Sequence, residues 1–198
     1  LVSASALVLV TGVAVANIHD VPGWVRWNYT GYEGKAAYAE YAGLMEAVDE
    51  LPPGRIMWEA NSDMGRYGTP MALMLLPYWS EGHPSMEGLF FESSLTTPFH
   101  FLNASEVSSR PSNPVRGLDY RGLDFERAVP HLQLFNVAYY IAWTEDAADL
   151  ARAAGLVELA TPEPWTIFAL PESSLVDVAQ YIPSVYAGED SFLDASLD

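Results

Sequence analysis

The sequence has no cysteine, a single lysine (Lys35), and nine basic residues against 26 acidic ones, giving a formal net charge of −17 over 198 residues. Without thiols there can be no disulfide staples, thiolate zinc sites, cysteine nucleophiles or thiol redox chemistry. An acidic excess of this size repels phosphate backbones and argues against nucleic acid as a partner. Gly-x-x-x-x-Gly-Lys, Gly-x-Gly-x-x-Gly and Gly-x-Ser-x-Gly runs are also missing, which removes the common nucleotide-binding loops and the hydrolase nucleophile elbow. The four histidines, His19, His83, His100 and His131, form neither His-x-His nor His-x-x-x-His, so no metal and no cofactor is expected. What the chain does have is apolar mass: half its residues are hydrophobic and 13% aromatic, enough to close a core and to set disorder aside.

Charge is missing locally as well. Residues 1–17 carry none, and the first acidic side chain is Asp20. A bilayer-spanning helix needs about 20 apolar residues, and this run is slightly short. Three readings fit it: the C-terminal part of a transmembrane helix, a signal sequence cleaved near Ala14-Val15-Ala16, or a buried core element. A signal sequence lacks its basic leader here, and the reading carried forward is the membrane helix. Trp24, Trp27, Tyr29 and Tyr32 follow closely, and such rings favour the headgroup level. Residues 18–35 therefore read as an interfacial aromatic linker. The sparse basic residues beyond it place the remainder on the extracytoplasmic side of a cell membrane.

Periodicity then predicts alternating helices and strands. Residues 36–50 set Tyr38, Tyr41, Met45 and Val48 at helical spacing, with Pro52-Pro53-Gly54 as the stop. A strand over 55–59 leads into a polar loop, 61–68, and Thr69-Pro70 reads as the start of a short helix from Met71 to Leu76. Residues 77–122 have little regularity beyond a helix start at Thr97-Pro98, which suggests binding surface rather than scaffold. A helix over 124–135 follows, with Phe125, Val129, Leu132 and Phe135 inward and Asn136 as its stop. Then come a strand at 137–143, a helix at 146–154 ended by Gly155, and strands at 156–159 and 165–170. The β-α-β-β order points to an α/β sandwich, a sheet covered by helices, over residues 36–185, with an acidic tail at 186–198.

Two groups of residues are candidates for chemistry. A loop after the carboxyl end of a strand is where open α/β sheets place ligand contacts. That makes Glu59, Asn61, Asp63 and Arg66 candidates for holding sugar hydroxyls, although a solvated polar loop explains the same composition. Glu87 and Glu92 lie in an aromatic stretch and could act as acid and base if a bend at Gly88 brought them together, or could pair with Arg66, Arg110 or Arg116. His100, between Phe99 and Phe101, reads as a packed, hydrogen-bonded histidine rather than a catalyst. Asn28-Tyr29-Thr30 and Asn103-Ala104-Ser105 are glycan acceptor sequons.

The runs at 68–79 (Gly-Thr-Pro-Met-Ala-Leu-Met-Leu-Leu-Pro-Tyr-Trp), 86–94, 98–102, 113–118 and 131–140 carry a family resemblance. Across residues 20–185 the chain resembles the extracytoplasmic domain of large polytopic prokaryotic membrane proteins labelled pyruvoyl-tetrahydropterin-synthase-related. These are similar to the GT-C glycosyltransferases and YfhO-type proteins. The likeness does not extend to pterin chemistry, which needs a histidine zinc site and a cysteine nucleophile. It implies a transferase that moves a sugar from a polyprenyl-phosphate donor to a glycan acceptor outside the cytoplasm. The catalytic carboxylate of that superfamily lies in an early outer loop that these residues do not match, so no catalytic residue is carried over. The ligand-binding candidates are Glu59, Asn61, Asp63, Arg66, Glu87, Glu92, His100 and Arg116, with Trp58, Tyr67, Tyr78 and Trp79 as possible stacking platforms. A non-catalytic interaction module of a membrane complex and a secreted glycoside hydrolase using Glu87 and Glu92 are the alternatives.

Overall fold

The computed structural model describes residues 2–87, 96–173, 178, 187 and 188. It begins with two helices that belong to no core. Helix α1 (Val2–Asn17) has apolar side chains all round, and those at Leu7, Val8 and Leu9 are 68–73% exposed. Helix α2 (Val21–Tyr29), bent by 54° from α1, buries none of its residues and exposes Trp24, Trp27 and Tyr29. The core-element reading of residues 1–17 is therefore corrected: the described side chains of α1 are exposed rather than packed against the globule. Among the described residues no single helix is long and apolar enough to cross a membrane, whereas α1 and α2 together have the length and composition. The linker joins this rod to the globule through aromatic contacts. Lys35 Nζ lies 4.0 Å from the Trp27 ring centroid, and Tyr32 stacks on Tyr41 at 5.4 Å.

The globule is an α/β fold around a four-stranded mixed sheet. Its strands are β1 (Arg55–Trp58), β2 (Val137–Ala142), β3 (Val157–Ala160) and β4 (Thr166–Ala169), in the spatial order β1-β2-β4-β3. The β1–β2 pair is parallel, while β2–β4 and β4–β3 are antiparallel. Because successive side chains of a strand face opposite ways, the sheet feeds two cores. Ile56, Trp58, Tyr139, Ile141 and Ile167 pack against helix α3 (Tyr38–Asp49) and the 3-10 turns at Ser62–Tyr67 and Ala72–Leu75. Met57, Tyr140, Ala142 and Phe168 face the other way, into the core that contains residues of α5 (Thr97–Glu106), α6 (Phe125–Leu134) and α7 (Glu145–Ala153). Burying a side chain such as Leu44 or Leu132, each fully inaccessible, contributes roughly 1.5–3 kcal/mol.

The helix boundaries follow from local chemistry. The Asp124 carboxylate accepts from the Arg127 amide and starts α6; the Thr144 hydroxyl accepts from the Ala147 amide and starts α7, whose first turn carries Glu145 and Asp146. Asn136 and Gly155, at φ of 54° and 85°, end these two helices in the left-handed region. His131 Nδ1 lies 2.7 Å from Glu106 Oε2, tying α6 to α5. Two expectations shift. Thr69-Pro70 does not open a helix: the chain makes the 3-10 turn at Ala72–Leu75 and only then a one-turn helix, α4 (Leu76–Trp79), because Thr69 Oγ1 closes a local turn on the Met71 amide. The polar stretch after β1 is likewise a 3-10 helix rather than an open loop. Val129 and Phe135 are only partly buried, and Ala128 takes the inward position between Phe125 and Leu132.

The outer edge of β1 is covered. Ile56 donates its amide to the Pro84 carbonyl (2.8 Å) and accepts from the Met86 amide (3.0 Å), so Ser85 bridges the strand in parallel. At the start of β1 a bulge places Arg55 opposite Val137 and Ile56 opposite Tyr139. Gly54 sits against it, and a Cβ there would lie 2.7 Å from Ala138 Cβ and 2.8 Å from the Tyr139 ring.

Candidate functional site

Beyond the carboxyl end of β1 a cleft of about 790 Å³ opens. Its apolar walls come from Trp58 at the strand end, Met71 and Met74 around the 3-10 turn, Phe101 on α5, and Val115. Asn61, Glu87 and Arg110 supply much of its polar lining. This is the position at which a strand end leaves room for a ligand in open α/β sheets.

The candidate residues separate sharply. Glu59, one residue past β1, is 0% exposed and committed to holding the fold. Its Oε1 accepts from Ser109 Oγ (2.6 Å) and Thr144 Oγ1 (2.8 Å), and its Oε2 from the amides of Trp143 (2.9 Å) and Thr144 (2.8 Å). The buried charge is thereby matched by donors at the N-terminus of α7 and by the segment after α5. No lone pair remains for a ligand, so Glu59 is corrected from binding candidate to structural clamp. Next to it, burial and then the Glu59 charge hold the Tyr140 phenol far above its ordinary pKa, and Tyr140 donates to the Val107 carbonyl (2.6 Å).

Asn61 caps the 3-10 helix, its Oδ1 accepting from the Asp63 amide (3.0 Å). Its Nδ2 makes no hydrogen bond among the described residues, and the side chain lines the cleft. Asp63 faces solvent and pairs with Arg110 at 2.8 Å on the cleft rim. Arg66 turns the other way, to Glu40 on α3, and Tyr67 donates to the same carboxylate at 2.7 Å. Burial, helped by that hydrogen bond, pushes the Tyr67 phenol up to about 12. Arg66 is therefore outside the site. Arg116 is exposed, lines no part of the cleft and makes no ion pair among the described residues.

Glu87 and His100 do come together. His100 Nε2 donates to Glu87 Oε1 at 2.9 Å, with side-chain exposures of 5% and 12% respectively. The expected arginine partners of Glu87 are replaced by this histidine, since Arg66 and Arg110 are taken by Glu40 and Asp63. Glu87 Oε2 takes no hydrogen bond among the described residues, and the residue lines the cleft. Glu92, the other half of the expected carboxylate pair, lies outside the described residues.

Of the stacking candidates only Trp58 reaches the cleft. Tyr67 is buried in the first core, while Tyr78 and Trp79 form an edge-to-face pair on the surface. The sequon at Asn103 is closed to modification in the folded domain, because Asn103 is 1% exposed within α5; Asn28 is exposed. Among the described residues no three His, Cys, Asp or Glu side chains converge on a point that could hold a metal ion. Sequence reasoning missed the Glu87–His100 pair because its members stand 13 positions apart with no shared periodicity. It missed the role of Arg110 for a similar reason: Asp63 is 47 positions away.

Comparison with protein-family models, curated proteins and solved structures finds no match to this chain.

Proposed function

We propose that this chain is a bilayer-anchored, extracytoplasmic α/β domain that holds a glycan acceptor for a GT-C-like sugar transferase using a polyprenyl-phosphate donor. The observation that carries the reading is the pairing of an uncharged, solvent-exposed helix with a separate globule that contains a ligand-sized cleft. A rod with no polar face is costly in water and stable in lipid. The bend after it, with Trp24, Trp27 and Tyr29 exposed on α2, suits a helix lying at the headgroup level. The cleft supplies what a sugar needs: an apolar floor from Trp58, Met74 and Phe101 for C–H faces, with a carboxylamide and a carboxylate at its wall for hydroxyls. The transferase context rests on the sequence resemblance, and no group of the cleft is assigned a part in sugar transfer.

An interaction module without a ligand would need no such cavity, so the cleft favours the binding reading over that alternative. The test uses the full chain reconstituted into phosphatidylcholine vesicles. It is expected to float with the vesicles and to show saturation transfer in NMR to neutral oligosaccharides, with the strongest transfer to ring C–H protons. A chain that stays unattached to vesicles, or gives no transfer to any oligosaccharide, sinks the reading.

A further inference from the structure

The charge arrangement of the cleft goes further and names the class of glycan it accepts. Among the described residues that line it, only Glu87 and Arg110 are charged. Arg110 is paired with Asp63 at 2.8 Å, whereas Glu87 makes no ion pair with lysine or arginine among the described residues and engages His100 Nε2 through one oxygen. Glu87 Oε2 and Asn61 Nδ2, which make no hydrogen bond among the described residues, thus put an acceptor and an amide donor on side chains that line the cleft beside its apolar wall. The chain around this site carries a net charge of −17, which adds a long-range field of the same sign.

An anionic group brought here would be desolvated against the Glu87 carboxylate and would have to compete with Asp63 for the Arg110 guanidinium at the rim. Hydroxyl and ammonium groups are donors and suit the same carboxylate, and hydrogen bonds to a charged acceptor are the stronger kind. We infer that Glu87, held in place by His100, selects a neutral or amine-bearing glycan segment and turns away uronate- and phosphate-bearing ones. The cleft then takes the acceptor, and the phosphate of a lipid-linked donor is bound elsewhere. This rests on the glycan reading proposed above. His100 acts as a positioning residue: it fixes the carboxylate rotamer and leaves the second oxygen turned to the ligand.

The experiment compares three oligosaccharides on the vesicle-bound full chain: a chito-oligosaccharide, its de-N-acetylated amine form, and an oligogalacturonate. The intact protein is expected to bind the amine form most tightly, the neutral form next and the uronate least. Glu87→Gln should weaken the amine form by about tenfold or more, in line with the worth of a charged hydrogen bond. It should weaken the neutral form less and admit the uronate. Glu87→Asp, which keeps the charge but retracts it, should lose affinity for the first two while still excluding the uronate. His100→Gln should weaken the first two sugars and leave uronate exclusion in place, a split that general damage to the cleft would not produce. Unfolding midpoints close to that of the intact protein establish that each variant is folded. Preference of the intact protein for the uronate, or an unchanged ranking in Glu87→Gln, overturns the inference while the glycan reading stands. Failure of all three sugars to bind the intact protein removes the glycan reading itself, and this inference with it.

Discussion

Glu59 and Glu87 flank the same strand end, both withdrawn from solvent, yet they belong to regions of opposite character. Behind the cleft, Glu59 is surrounded by donors from α7 and from the segment after α5, and both its oxygens are filled. On the cleft wall, Glu87 has one oxygen on His100 and no hydrogen bond to the other among the described residues. Residue type is the same, and although Glu87 keeps 12% side-chain exposure where Glu59 keeps none, the larger difference is the count of satisfied lone pairs. A carboxylate with every lone pair occupied is architecture, and one left half-occupied at a cavity wall is available to a ligand.

The sharpest way to break this contrast is to remove Glu59. Glu59→Ala strands the amides of Trp143 and Thr144 and the Ser109 hydroxyl in a site from which water is excluded. The expected loss is about 3–5 kcal/mol, read as a collapse or large fall of the urea midpoint. A change under about 1 kcal/mol would show that the clamp is ornamental. The next largest effect is set by alkali. Burial raises the phenols of Tyr41, Tyr67 and Tyr140 above the ordinary value of 10.0, Tyr67 to about 12. From pH 10 upward the unfolded chain sheds these protons while the folded chain keeps them, so stability is complete below pH 10 and declines as pH rises through the folded values. Thermal melting followed together with phenolate absorbance should show the melting temperature falling over that interval, and less steeply in Tyr67→Phe. An unaltered slope in that variant would detach Tyr67 from the effect.

Glu87→Gln sharpens the comparison from the other side. Glutamine still offers an oxygen to His100, so the unfolding free energy should move by no more than about 1 kcal/mol while the sugar ranking changes. A loss comparable to that of Glu59→Ala would make Glu87 a second clamp. Smallest of all should be Asp63→Asn. The Asp63–Arg110 pair is more than half exposed on both sides, and such pairs contribute about 0–1 kcal/mol, screened further by salt.

Much of the scaffold was legible from local signals. The stripe of Tyr41 and Val48, the helical run over 124–135 with its stop at Asn136, and the β-branched and aromatic run at 137–143 are all written within a few neighbouring residues, and each became the expected type of element, within a residue or so of its expected ends. The short 3-10 turns were not legible, because four to six residues give no helical period to read. The site was only partly legible. Placing a polar loop after β1 pointed to Asn61, and the composition around Glu87 pointed to that residue. The roles inverted at Glu59, whose partners are 50 and 85 positions away, and at Arg66, whose carboxylate sits back on α3. Long-range pairing of this kind depends on topology, and nothing in the neighbouring residues encodes it.

The two backbone hydrogen bonds by which Pro84 and Met86 grip Ile56 have a consequence for affinity. They fasten the residue immediately before Glu87 to a sheet strand, so the recognition group enters any encounter already ordered rather than as the tip of a free loop. Little conformational entropy is then left to surrender at Glu87 on association, which favours even a shallow hold on the flexible, well-hydrated ligand proposed above.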